Sequence, residues 1–121
     1  MKKKVLGIVG SLEIELEGTE DTMLMVLSGQ VDNYTAGEIT KLINEHINNG
    51  NLKVVIDLTN VDYLDSAGLS AIISSKIRLA KRKGALRLAG LKGKAKEVFD
   101  ISNLTQMFDI YPSREAAFEN F

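Results

Sequence analysis

The feature that most constrains this chain is an alternation between two kinds of apolar pattern. Met23 to Leu27 and Lys53-Val-Val-Ile-Asp-Leu58 are short, nearly continuous apolar runs of strand length. Strands of that kind are covered on both faces of a sheet. Between them, Ile39, Leu42, Ile43 and Ile47 recur with the 3.6-residue period of an amphipathic helix. Strand, helix and strand in that order imply a right-handed crossover joining parallel neighbours. The chain is therefore expected to be an α/β domain with a mostly parallel sheet.

The remaining segments extend the same plan. Leu12, Ile14 and Leu16 alternate with Glu13, Glu15 and Glu17, the period of a half-buried strand. A polar turn near Gly18–Asp21 joins it to the Met23 strand as an antiparallel hairpin at the sheet edge. Thr35 and Glu38 have the spacing of a capping box for the first helix, and Asn49-Gly50 supplies its stop. Thr59 to Asp65 reads as a turn-like segment. Leu69, Ile72, Ile73, Ile77 and Ala80 mark a second helix that ends near Gly84. Leu86 and Leu88 mark a short strand, Lys94 to Ile101 a third helix and Met107 to Ile110 a further strand. Pro112-Ser113 opens a last helix containing Ala116, Ala117 and Phe118. The expected order is β-β-α-β-α-β-α-β-α, with about four helices. Residues 12–121 form one domain, and residues 1–11 are a basic extension or an added edge strand.

Composition removes several classes of chemistry. There is no cysteine, so disulfides and thiolate catalysis are excluded, and a cytoplasmic setting is expected. The apolar stretch Val5 to Val9 is too short for a secretory or membrane segment, which needs at least about 7 apolar residues. His46 is the one histidine, and it falls in the last turn of the first predicted helix, where an imidazole suits the dipole. It leaves no zinc site and no partner for a serine nucleophile, so no cofactor or metal is expected and the chain is read as a non-enzyme. Gly90-Leu-Lys-Gly93-Lys94-Ala95 lacks both the spacing and the hydroxyl residue of a phosphate-binding Walker loop. Lys76 to Lys96 carries nine basic residues and no acid, yet no aromatics interleave with them, and nucleic-acid binding is not expected. The net charge of −1 points the same way.

The informative segment is Val61-Asp-Tyr-Leu-Asp65-Ser66-Ala-Gly68-Leu-Ser70, lying between a buried strand and an amphipathic helix. Ser66 falls at or beside the helix N-cap, where amides lack partners and the dipole end is positive. A phosphate there adds about −1.5 to −2 charges. The helix end accommodates it, while Asp65 and Asp62 repel it. Such a modification inverts the charge of a surface patch and leaves the fold in place. The plainer reading is that Asp65 and Ser66 are caps, worth about 1 kcal/mol each. Gly68 in the first turn hints at a close approach by some neighbour.

Asp65-Ser66-Ala67-Gly68-Leu69 resembles the Asp-Ser-(Ser/Ala)-Gly-Leu signature of STAS domains, named for sulfate transporters and anti-sigma factor antagonists. Leu27-Ser-Gly-Gln-Val-Asp32 with Asn33 to Ala36 is similar to the family's turn before its first helix, and Val54 to Leu58 to its central strand. Val98 to Leu104 resembles the family's third-helix end, where Gly is commoner than Asn103. The resemblance spans most of residues 12 to 118 and implies an anti-sigma factor antagonist. In such proteins the serine matching Ser66 is phosphorylated by an anti-sigma factor serine kinase and restored by a PP2C-type phosphatase. The unphosphorylated form binds the anti-sigma factor and frees the sigma factor. The resemblance puts Asp32, Thr35, Asp65 and Gly68 on the docking face around Ser66, although Thr35 reads from its spacing first as a helix cap. Ala67 leaves Ser66 as the acceptor within the motif. The alternative functions are a non-switching STAS scaffold subunit of a larger signalling or lipid-transport complex and, from another class, a nucleotide-binding protein. A monomer or weak dimer is expected, because an exposed edge strand can pair.

Overall fold

The computed structural model describes the backbone of residues 2–18 and 21–121, with side chains from residue 10 onward. Part of the hairpin turn expected near Gly18–Asp21 lies outside the described residues, as do the side chains of the basic residues 2–4. Six strands form one sheet in strictly sequential order: β1 (Lys2–Val9), β2 (Leu12–Gly18), β3 (Thr22–Val31), β4 (Lys53–Leu64), β5 (Ala85–Ala89) and β6 (Asp109–Tyr111). The first three are antiparallel neighbours, and β3 to β6 are parallel. The helices are α1 (Ala36–Asn48), α2 (Ser66–Lys81), α3 (Gly93–Ile101) and the short α4 (Arg114–Phe118).

Period-2 alternation distributes the strand residues over two cores. Leu12, Ile14, Met23, Met25, Leu27, Val54, Ile56 and Leu88 meet Ile39 and Ile43 of α1, Leu69 and Ile72 of α2, and Phe99 of α3. On the opposite face Leu24, Val26, Val55 and Ala89 meet Ala117 and Phe118 of α4. Each parallel crossover steps to the next strand in the same direction. With a constant right hand, this puts α1, α2 and α3 on one face. Burial on both sides is the physical reason Met23 to Leu27 is apolar without interruption.

Four expectations are corrected. Thr59 to Asp65 is not a turn, because β4 runs on to Leu64. Beyond Asp57, which pairs with Ala89 at the end of β5, the strand keeps β3 as a neighbour through Ser28↔Asn60 and Gln30↔Tyr63. Paired on one side and half exposed, it tolerates Thr59, Asn60 and Asp62, which read as turn residues in isolation. Ile77 and Ala80 do not belong to the buried stripe of α2; Ser75 and Leu79 do. The buried Ser75 hydroxyl is satisfied by donating to the Ala71 carbonyl, 2.7 Å away. Met107 closes a one-turn 3-10 helix, Thr105–Met107, and is half exposed. The capping box at Thr35 and Glu38 does not form either, as set out below.

Candidate functional site

The geometry around Ser66 follows from two parallel strands ending together. Val31 and Leu64 are register partners at the C-terminal ends of β3 and β4, and each strand hands the chain to a helix on the same face. The Asp65 amide donates to the Val31 carbonyl at 3.2 Å, so the start of α2 is fastened beside the loop that leads into α1. Asp65 is the N-cap of α2, in extended backbone, and its Oδ1 accepts from the Gly68 amide at 3.0 Å. Ser66 is therefore the first helical residue. It is exposed, and its hydroxyl has no hydrogen-bond partner among the described residues. The amides of Ser66 and Ala67 belong to the turn that a helix cannot satisfy internally.

Gly68 is buried against the neighbouring strand end. A Cβ there would lie 2.6 Å from the Val31 carbonyl oxygen, 2.7 Å from Val31 Cγ1 and 2.8 Å from Leu64 Cδ1. The close approach hinted at by a glycine in the first helical turn is thus made by the protein's own Val31 and Leu64. It sets how near Ser66 sits to Val31 and Asp32.

Asp32 and Thr35 form a closed polar turn. Asp32 Oδ1 accepts from the amides of Tyr34 at 2.9 Å and Thr35 at 3.2 Å. Thr35, fully buried, turns its hydroxyl back to accept from the Asp32 amide at 2.9 Å and to donate to the Gln30 carbonyl at 3.1 Å. It makes no side-chain cap to α1. The capping-box expectation is overturned because the same hydroxyl finds two better-placed backbone partners upstream. Glu38 remains at the helix surface.

All five predicted site residues, Asp32, Thr35, Asp65, Ser66 and Gly68, thus gather at the carboxyl edge of β3 and β4. Thr35 and Gly68 lie inside the framework, whereas Ser66 is presented to solvent. Two residues that the sequence reading left out are exposed in the adjoining segments: Tyr34, 85% exposed, in the Asp32–Thr35 turn, and Tyr63, 44% exposed, near the end of β4. Both are large apolar side chains set in otherwise polar segments, and that mismatch was the available signal. Among the described residues no three acidic or histidine side chains cluster so as to hold a metal ion. No helix among them is long and apolar enough to cross a membrane.

A sequential mixed sheet with an exposed serine opening the helix after its central strand defines a recognisable class of domain. The chain belongs to the STAS domain family, which it matches over residues 13–117. Its relatives there include BtrV of Bordetella bronchiseptica, provisionally named an anti-sigma factor antagonist, with 30% identity over 106 residues, covering 88% of this chain and 91% of that one. The anti-sigma-B factor antagonist of Listeria monocytogenes is 30% identical over 100 residues, covering 83% and 87%. The fold matches that of an anti-sigma factor antagonist from Mycobacterium paratuberculosis with a TM-score of 0.81 at 22% identity, over 94% of this chain and 97% of that one.

Proposed function

We propose that this protein is an anti-sigma factor antagonist whose docking face is switched by phosphorylation of Ser66. The observation that carries the reading is the position of Ser66. Its unpartnered hydroxyl sits exposed on the first residue of α2, beside an Asp65 carboxylate already engaged with Gly68. A kinase can reach that hydroxyl without unfolding anything. The phosphate would gain from the helix end, a contribution of about 0.3–1 kcal/mol at an exposed site. It would also stand beside Asp65 and near Asp32, turning a weakly acidic face into a strongly acidic one. A partner fitted to the neutral serine would then meet repulsion and steric excess. Tyr34, whose amide donates to Asp32 Oδ1, suits the role of an aromatic anchor on such a face.

The partner in this reading is an anti-sigma factor that is also the serine kinase, with a PP2C-type phosphatase resetting the switch. The test is intact-mass analysis after incubation with ATP and the anti-sigma serine kinase of the same genome. Gain of one phosphate by the wild type and none by Ser66→Ala is the expected result. Absence of modification, with the kinase active on a known substrate, would favour a non-switching scaffold role. Turnover of ATP by the chain alone would favour a nucleotide-binding protein.

A further inference from the structure

The turn between β1 and β2 lies at the same pole as Ser66. Antiparallel pairing of β2 with β3, with Leu12 opposite Gly29, carries Gly10 and Ser11 to the end at which β3 hands the chain to α1. The approach there is close. The Ser11 carbonyl accepts from the Gln30 amide at 3.1 Å, and a Cβ on Gly29, whose φ is +114°, would collide with that carbonyl oxygen. A Cβ on Gly10 would sit 3.4 Å from Thr35 Cγ2, so the turn also touches the Asp32–Thr35 segment. Val31, the next residue of β3, accepts from the Asp65 amide at 3.2 Å. Backbone hydrogen bonds on adjacent β3 residues therefore link Ser11 to the residue before Ser66. Packing explains the glycines but not the surface around them. Gly10, Ser11 and Gln30 are exposed, and neither the Ser11 hydroxyl nor the Gln30 side-chain amide has a hydrogen-bond partner among the described residues. The turn also lies outside the shared family pattern, whose match begins at residue 13.

We infer that Gly10, Ser11 and Gln30 extend the docking face and contact the same anti-sigma partner that reaches Ser66; the inference rests on that reading of Ser66. A stable interface buries about 800 Å² on each partner, a patch roughly 30 Å across. β2 and β4 flank β3 and so run about 10 Å apart. A patch centred on Ser66 and Asp32 therefore takes in the turn. The Asp32 and Asp65 carboxylates already accept from the protein's own amides, which leaves uncharged groups free to read a partner. Ser11 offers a hydroxyl and Gln30 an amide, each able both to donate and to accept. The partner surface they fit is polar and uncharged, and it can come close over Gly10, which has no side chain to hold it off. Tyr34 adjoins Thr35 and supplies the apolar anchor, and near-neutral contacts that exclude water are the usual surroundings of such an anchor.

The experiment measures binding of the full chain to the anti-sigma serine kinase of the same genome by calorimetry, with phosphorylation kinetics and thermal unfolding on the same samples. Ser11→Arg should raise Kd about tenfold, a change of ~1.4 kcal/mol. It should raise the KM for phosphorylation and leave kcat unchanged, the mark of a lost docking contact. Gln30→Ala should raise Kd about threefold with unfolding unchanged, and it decides the matter if Ser11→Arg does not fold. Asn49→Arg makes the same charge change at the exposed end of α1, on the opposite pole, and should stay within about twofold of wild type. If Ser11→Arg and Gln30→Ala bind like wild type while Ser66→Asp binds weakly, the inference is overturned and the Ser66 reading stands. Equal weakening by Asn49→Arg would also overturn it, since the effect would then be one of charge without location. A wild-type chain that neither binds the kinase nor is phosphorylated by it would remove the Ser66 reading, and this inference with it.

Discussion

Thr35 and Asp65 each stand immediately before a helix, and they do different work. Asp65 caps α2 through the Gly68 amide, while Thr35 is fully buried and bonds backward to Asp32 and Gln30. Thr35→Val keeps the shape but strips partners from the Asp32 amide and the Gln30 carbonyl. It should cost about 1–3 kcal/mol in urea unfolding. Thr35→Ser should recover most of that loss, and full stability in the valine variant would show that the turn is not held by the hydroxyl. At Gly68 two effects oppose. Alanine gains roughly 0.5–1 kcal/mol of helix preference, whereas the contacts with the Val31 carbonyl and Leu64 Cδ1 impose overpacking of about 1–3 kcal/mol. Gly68→Ala should therefore be net destabilising and displace Ser66 outward; a stabilised variant would contradict the close approach. The cap and the exposed serine were legible from local sequence, because both depend on neighbours within three positions. The direction of the Thr35 hydroxyl was not, since it is set by a carbonyl five residues upstream in a strand end.

At the scale of elements, apolar period identified α1 to α3 and the paired core of every strand from β2 to β5, while Pro112-Ser113 marked the start of α4. It failed where one flank of an element is open. The second half of β4 has a single neighbour and therefore carries polar residues. The C-terminal half of α2 leaves Ile77 49% exposed. The five-residue α4 is held by long-range ties that no local pattern announces: Arg87 Nη1 donates to the Ala117 and Glu119 carbonyls, each at 3.0 Å, and a second tie starts from α4 itself. Arg114 Nε donates to Asp57 Oδ2 at 2.9 Å, and Asp57 Oδ1 accepts from the amide and hydroxyl of Thr59 at 3.0 and 2.6 Å. Asp57 is 3% exposed, so losing Arg114 leaves a carboxylate in the sheet with Thr59 alone. The full penalty for breaking a buried pair is tempered because the Arg114 side chain is about one-third exposed. Arg114→Ala should lower stability by about 1–3 kcal/mol and speed hydrogen exchange at Ala116 and Ala117 first. Uniform loss of protection across the sheet would instead make α4 part of the global folding unit.

At the scale of the whole molecule, sequential strand order has a consequence for the switch. Because α1, α2 and α3 share one face, the starts of α1 and α2 emerge side by side at one edge, while the buried cores lie behind them. The site framework is built from backbone and buried side chains: Val31, Thr35, Asp65 and Gly68. The Ser66 side chain contributes no hydrogen bond to it among the described residues. Binding and folding should therefore separate cleanly at this position. Ser66→Ala is expected to unfold within about 0.5 kcal/mol of wild type. Ser66→Asp gains from the helix end and loses to Asp65, so its net change should also stay within about 1 kcal/mol. Affinity for the anti-sigma partner should behave otherwise. It should hold in the alanine variant and fall tenfold or more, about 1.4 kcal/mol, in the aspartate variant. Calorimetric titration beside thermal unfolding of the same samples reads both quantities. If Ser66→Asp lost stability and affinity in proportion, the serine would belong to the framework, and phosphate would act by loosening the fold. If it kept both, the partner would dock on another face, and Tyr34 would lose its assigned role.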